Sequence, residues 1–361
     1  MKIYTKKYFG DSLITIILLL LFSIGLIILY SATSEIGEKS SNFFLKQSFG
    51  LITGMLIISF ISILPYRTII IWGAIAHYII LILLIFTLIK GSIAMGAKRW
   101  IDFGFVKFQP SELAKITLPL CIINYFLFYI INKTSLKDWI KLLFLVFITS
   151  ILIIKQPDLG SGLIVGISAM ALLYISGLPR KIIITLAIMF GLTTPIVWKF
   201  LHEYQKKRII VFFGGGSAHK ERYQLEQSKI AIGSGGLYGK GFLKGTQKNL
   251  QFLPENRTDF IFSVLSEEFG FIGVTFIIFL YIMLFFRFIK QCQRIDDFHA
   301  HLLCNGLFLP FMISIICNIG MVIGLFPTVG IPLPCMSYGI TNLWSTCIML
   351  GIINSVLTQK D

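Results

Sequence analysis

Four carboxylates and an arginine gather at the start of one apolar run, FLPENRTDFIFSVLSEEFGFIG, residues 252–273. Glu255, Arg257 and Asp259 precede the run, and Glu267 and Glu268 lie inside it. With Thr258 as an N-cap, Asp259 falls at the positive end of a helix, which favours the ionised form. An ionised aspartate near a membrane surface can take a proton from a hydroxyl. A plain helix-end charge explains the residue equally well. Glu267 lies about 12 Å deeper and about 80° around an ideal helix from Asp259, and Glu268 is turned almost opposite. Both glutamates therefore cannot serve one site with Asp259, and at least one is expected against other helices.

Four further segments carry unusual residues. In GAKRWIDFGFVKFQPSELAK, residues 96–115, Pro110 suits a first helical turn. Glu112 and Lys115 then share a helix face and can pair, facing the bundle interior or a wet cavity. Lys98 and Arg99 suit a phosphate, and Trp100 suits the headgroup zone as an anchor. In KQPDLGSG, residues 155–162, Gln156 and Asp158 flank Pro157, and composition favours a plain turn. QSKIAIGSGGLYGKGFLKGTQ, residues 227–247, lacks Walker spacing. Its glycines fit either an anion cradle or the end of a short helix on the membrane. GLFPTVGIPLPCMSYG, residues 324–339, is apolar yet too rich in proline for a helix. Irregular backbone at membrane depth survives only when buried or lining a cavity, so a re-entrant or capping loop over an outward-facing pocket is expected.

The elements that position these residues are apolar. The chain is 56% hydrophobic and 14% charged, against about 25% charged in soluble domains. Apolar runs approach or exceed the roughly 20 residues that span a bilayer. The expected fold is an all-α integral membrane protein with spans near 12–30, 48–64, 69–89, 111–132, 139–154, 162–177, 181–200, 260–286, 301–323 and 341–357. The whole chain, 1–361, reads as one polytopic domain with a large extracytoplasmic loop, 201–259, between spans seven and eight. No cleavage site follows the first run, which stays as a span. A modest Lys/Arg bias puts both termini in the cytoplasm. The net charge of +15 is spread between spans, without the single basic face that nucleic acid requires. The six cysteines lack paired spacing and read as small core residues. In this orientation 90–111, 155–161, 201–259 and 324–340 all lie on the outer face.

Five ordered motifs, GAKRWID…FQPSELAK, QPDLGSGL, QSKIAIGSGGLYGKGF, GTQ…FLPENRTDFIFSVLSEEFGFIG and GLFPTVGIPLPCMSYG, resemble the SEDS family (shape, elongation, division and sporulation) over nearly the whole chain. GTQ before FLPE, and IAIGSGG, are more similar to the elongation members of RodA type than to the division members of FtsW type. The resemblance implies a peptidoglycan glycosyltransferase of the bacterial inner membrane that polymerises lipid II on the outer face. It also implies a monofunctional class B penicillin-binding protein as cross-linking partner, alongside other membrane proteins of the elongation complex. Asp259 occupies the essential position of the family's PE-x-x-TDF motif, with Pro254 and Glu255 in register. On that basis Asp259 is the expected base for the attacking 4-hydroxyl, in a transfer that inverts the sugar carbon. Lys98, Arg99 and Lys115 are candidates to stabilise the leaving diphosphate, with Glu112 orienting Lys115. Gln109, Lys229 and Arg257 are further candidate substrate contacts. A divalent cation, Mg²⁺ or Mn²⁺, is an alternative leaving-group stabiliser.

Two departures from the family pattern stand out. VFFGGGSAHKE (211–221) replaces a Leu-Asp-Pro type turn, and Gly339-Ile340 replaces a Gly-Gly pair. Rival readings are a lipid II flippase, which needs access from both faces, a division-type polymerase, and a scaffold for the cross-linking partner.

Overall fold

The computed structural model describes residues 11–34, 38–94, 97–104, 107–129, 134–201, 203–215, 219–249 and 255–359. Its first half comprises α1 (Ser12–Thr33), α2 (Glu38–Ile63), α3 (Tyr66–Lys90), α4 (Pro110–Tyr129), α5 (Leu136–Lys155) and α6 (Leu159–Ile175). Then come α7 (Arg180–Phe200), α8 (Glu203–Phe212), α9 (His219–Ser234), α10 (Thr246–Asn249), α11 (Ile261–Cys292), α12 (Phe298–Ile323) and α13 (Ile340–Thr358). The long helices fall where the apolar runs predict spans. α1, α2, α3, α4, α11, α12 and α13 are long and apolar enough to cross a membrane, so this is a multi-pass membrane protein. α5, α6 and α7 occupy the other predicted places.

Local chemistry sets several helix ends. Asp11 caps α1 by accepting from the N–H groups of Leu13 and Ile14. Ser135 and Asp138 form a reciprocal capping box on α5, and Asp297 caps α12 through the N–H of Ala300. Each satisfies donors that a helix start leaves without partners. Inside the bundle, His77 of α3 hydrogen-bonds with Thr117 of α4 and Thr149 of α5. With a hydroxyl at each ring nitrogen, this fully buried imidazole ties three helices together.

One end of the bundle is closed by polar ties. Asp11 accepts from Arg287 at 2.7 Å and from Gln291, joining the start of α1 to the end of α11. Asp297 accepts from Tyr66, and Gln359 donates to the Leu64 carbonyl. Both ends of the described chain thus lie at this end of the bundle.

Two features depart from the sequence expectation. The connection from α3 to α4 holds a small antiparallel sheet of β1 (Ser92–Ala94), β2 (Ala97–Asp102) and β3 (Lys107–Phe108). α11 is also longer than expected and breaks at Gly270, which has φ 62° and ψ −161°. The segment after α9 fills the break. The N–H groups of Lys240 and Gly241 donate to the carbonyls of Glu267 and Glu268, and the N–H groups of Phe271 and Ile272 donate to Gly236 and Leu237. Backbone groups freed by a helix break at membrane depth need such partners. The short helix ending at glycine is present, as α9 stops at Ser234 before Gly235, and the glycines that follow serve close backbone approach to α11.

Gly239 sits at φ 78°, and a methyl there would run into the Glu268 carbonyl. Gly239→Ala should destabilise by at least the ~1–2 kcal/mol of left-handed strain, with the clash added. Gly233, inside α9 with open space around it, should accept alanine without loss. Thermal unfolding of the two purified variants checks the contrast.

Candidate active site

The four segments with unusual chemistry converge at the end of the bundle opposite the polar ties. Asp158 is the junction of the first two. It is 1% exposed, accepts from Gln109 at 2.8 Å and from Ser111 at 3.3 Å, and caps α6 through the N–H of Ser161. Arg99, carried by β2, completes its surroundings at 3.7 Å. The expected turn between α5 and α6 is present, but its aspartate is not left in water: it is buried, with three hydrogen-bond donors and Arg99 around it. The neighbouring Gln156 is also buried and donates to the Leu84 carbonyl and the Thr87 hydroxyl, pinning the end of α3.

The irregular segment between α12 and α13 closes over this junction. Tyr281 donates to the Pro334 carbonyl at 2.6 Å. Gln47 brackets the far end, donating to the Ser337 carbonyl and accepting from the N–H of Gly339. Gly25 of α1 lies so close to Cys335 and Met336 that no side chain fits between them. The segment is thus buried protein, as irregular backbone within an apolar bundle must be.

Asp259 lies in the turn that precedes α11. Thr258 does not cap that helix: its hydroxyl donates to Glu255, and the N-cap position is Phe260, with no side-chain cap. The turn is held by the capping segment. Ser337 donates to the Thr258 carbonyl at 2.6 Å, and the N–H of Tyr338 donates to the Arg257 carbonyl at 2.9 Å. Asn318 of α12 donates to both the Asp259 carbonyl, at 2.9 Å, and the Ile331 carbonyl, at 2.6 Å.

Burial raises the Asp259 carboxyl to about 6, helped by Glu255 and Asp158 and opposed by Arg99 and Arg208. The sequence reading, in which a helix end holds the group low, is overturned because desolvation outweighs both arginines. A carboxylate titrating close to neutral pH is well matched to a base.

The other candidates separate. Arg99 acts on Asp259 and lies 4.3 Å from the Trp100 ring centroid, so Trp100 packs on the arginine that serves the site. Gln109 holds Asp158. Lys98 is exposed on β2. Glu112 and Lys115 pair at 2.7 Å, both buried, and Asn342 donates to the other Glu112 oxygen. They line a cavity of about 30 Å³ between α4, α12 and α13. Lys115 is committed to Glu112 and is not among the charges acting on Asp259. Arg257 stacks 4.2 Å from the Phe43 ring centroid instead of pairing with Glu255. Lys229 lies against Gly324 at the carboxyl end of α12, where a cation suits the helix dipole.

Two participants were not singled out from the sequence: Arg208 and Asn318. Arg208 sits among several basic residues in EYQKKRIIVF, so nothing local marks it. Asn318 is a fully buried amide in an apolar helix, a polar residue whose cost implies a partner. Among the described residues no group of three or more His, Cys, Asp or Glu side chains could hold a metal ion. A divalent ion there would take most of its ligands from substrate phosphate oxygens and water.

Comparison with known proteins agrees with this architecture. The FtsW/RodA/SpoVE family model, described as cell cycle protein, matches residues 11–361. Peptidoglycan glycosyltransferase MrdB of Escherichia coli K12 is 37% identical, covering 99% of this chain and 95% of the relative. Peptidoglycan glycosyltransferase RodA of Treponema pallidum is 29% identical, covering 97% and 98%. The fold is similar to that of a chain in a peptidoglycan synthase complex, with TM-score 0.81, 24% identity and 97% and 99% coverage. It is also similar to the rod shape determining protein RodA of Thermus thermophilus, with TM-score 0.73, 24% identity and 97% and 98% coverage. From its first described residue to its last, this chain belongs to the FtsW/RodA/SpoVE family of cell cycle proteins.

Proposed function

We propose that the protein is a peptidoglycan glycosyltransferase that polymerises lipid II during cell elongation, with Asp259 as the general base. The observation that carries this reading is a carboxylate raised to about 6 by burial, within reach of the charges of Arg99 and Arg208, at one end of a membrane bundle. Asp259 takes the proton of the acceptor 4-hydroxyl as its oxygen bonds to the anomeric carbon of the donor. The bond from that carbon to the diphosphate breaks, and the electron pair leaves with the diphosphate. Arg99 supplies fixed positive charge for the departing group, where a preorganised cation is worth most.

The relatives named MrdB and RodA support elongation over division. In this reading ten spans cross the inner membrane of a bacterium as one polytopic unit. Both termini lie in the cytoplasm, and 201–259, which includes α8, α9 and α10, lies outside. The partner is a class B penicillin-binding protein, a reading supported by the similar chain that belongs to a complex coordinating polymerisation and cross-linking.

Purified protein given lipid II in detergent should make glycan polymer without a second membrane compartment. A protein that moves lipid II and forms no polymer would be a flippase. The rate should also follow Asp259. With its carboxyl near 6, kcat/KM should be level above that pH and fall about tenfold per unit below it. Initial rates from pH 5 to 8 check this, and an acid limb near 4 would point to a solvated base.

A further inference from the structure

Resting on the reading of Asp259 as base, we propose that Asn318 is a positioning residue of the transfer reaction. Its side-chain amide holds the Asp259 backbone and so sets where the carboxylate meets the acceptor hydroxyl. Asn318 acts through that backbone and not on the reacting atoms.

The turn that carries Asp259 has few bonds of its own. Within it the Glu255 carbonyl accepts from the N–H groups of Thr258 at 3.1 Å and Phe260 at 3.2 Å. The helix that follows starts without a side-chain cap. Three successive carbonyls of the turn, those of Arg257, Thr258 and Asp259, are instead held from outside. Their donors are the Tyr338 N–H, the Ser337 hydroxyl and the Asn318 amide. Tyr338 and Ser337 belong to the capping segment, whereas Asn318 belongs to α12. The Asn318 nitrogen also donates to the Ile331 carbonyl of the capping segment. One amide therefore locks the catalytic turn and the segment above it to the same helix.

That helix is a fixed reference for the turn. Val322 lies one helical turn beyond Asn318 on the same face. Its carbonyl accepts from the Ser228 hydroxyl at 2.7 Å, which lies 2.9 Å from the Ser263 hydroxyl in the first turn of α11. Asn318 itself is fully buried. Two carbonyl acceptors, at 2.9 and 2.6 Å, fix its amide with the nitrogen toward them. Its Oδ1 is buried and makes no hydrogen bond among the described residues. An unpaired buried oxygen is costly, and a leucine of similar shape would avoid that cost. What this position takes from asparagine is its pair of N–H groups.

Burial is the largest influence on the Asp259 carboxyl, followed by the charges of Glu255, Arg99, Arg208 and Asp158. A turn released from Asn318 moves relative to all four charges and lets water reach the carboxyl. The acid limb of the rate profile should then fall from about 6 toward the ordinary value of about 4.

The test uses the full chain in detergent with three readouts: kcat and KM for lipid II, the pH profile of kcat/KM, and thermal unfolding. Asn318→Leu should lower kcat by about 100-fold, as a displacement of about 1 Å does. Its KM should stay within about threefold of wild type, because the lost interaction matters at the transition state. Its acid limb should move down. Asn318→Ala leaves room beside two carbonyls, where a water molecule can donate to both. It should therefore lie between leucine and wild type in kcat and acid limb, although it packs worse. His77→Leu removes a buried polar tie far from the turn. It should lower Tm and leave the acid limb at about 6. If Asn318→Leu does not fold, Asn318→Ala and Ser337→Ala, which frees the Thr258 carbonyl, should both lower the acid limb. Leucine more active than alanine at 318 would assign the residue to packing and overturn the proposal. So would an Asn318 variant with wild-type kcat, or one slowed with its acid limb unmoved. Wild type silent on lipid II, or an active Asp259→Asn, would instead sink the underlying reading of function or base, and this inference with it.

Discussion

Asp259→Asn is expected to lower lipid II polymerisation by at least about 10²–10⁴-fold, the range for a positioned base, and at the same time to raise thermal stability at pH 7.5. Both effects come from one cause. The amide keeps the shape and the backbone bonds to Asn318, but it cannot take the proton. It also removes a charge that the fold disfavours. The folded carboxyl titrates near 6 against about 3.9 in an unfolded chain. Folding therefore binds this proton more tightly than the unfolded state does. The stability cost of the ionised form is absent below about pH 4 and sets in between about 4 and 6. It is complete above 6, where the enzyme works. The gain in Tm for Asp259→Asn should accordingly be present at pH 7.5 and fade toward pH 4. Paired activity and unfolding measurements at both pH values check this. An asparagine variant that loses both activity and stability at pH 7.5 would mean that Asp259 supports the fold instead of the chemistry.

Glu267→Ala should have the opposite signature, a large loss of stability with activity lost as its consequence. Glu267 is 1% exposed and accepts from Lys240 Nζ at 2.7 Å, from the Thr246 N–H and hydroxyl at 2.7 and 2.9 Å, and from the Gln247 N–H at 3.1 Å. It clamps the start of α10 and the segment that fills the break in α11. Removing one member of a buried pair typically costs about 3–5 kcal/mol, because the partner is left uncompensated. Lys240 is partly exposed, which places the expected loss at the lower end. Glu267→Gln keeps an acceptor and should recover part of it. Thermal unfolding of the two variants beside wild type decides. Wild-type stability in Glu267→Ala would show that the clamp is not needed to hold the loop.

These two acids lie in the same apolar run, yet they do different work, and the sequence anticipated only half of that division. It separated Asp259 from the glutamates by helical geometry and placed the glutamates against the bundle. Glu268 fits that expectation, accepting from Ser31 of α1 at 2.5 Å. What Glu267 holds was invisible, since its donors belong to a segment whose path depends on the break at Gly270. A glycine inside an apolar run is common in membrane helices, so nothing in composition announces that this one has left the helix.

The elements themselves were legible because they rest on short-range causes. Apolar run length places the long helices, proline placed at a first turn starts α4, and three-residue spacing pairs Glu112 with Lys115. Those causes act within a few residues, where the chain carries its own evidence. The motifs also marked which segments carry chemistry.

Which charges meet was decided by tertiary packing alone. Arg208 comes to Asp259 from α8 and Arg99 from a small sheet. Asp158 arrives from the cap of α6, and the irregular segment that closes over them is pinned by α2, α11 and α12. Lys115 and Arg257, equally basic and equally close to the motifs, are committed to Glu112 and to Phe43. Helix periodicity specifies which face a residue occupies, not which distant residue faces it. In a bundle of mostly apolar helices the contacts that choose among similar cations come from how those helices pack. Whether Asp259 is charged follows from the same packing, since desolvation by the assembled segments outweighs the helix end that local reasoning could see.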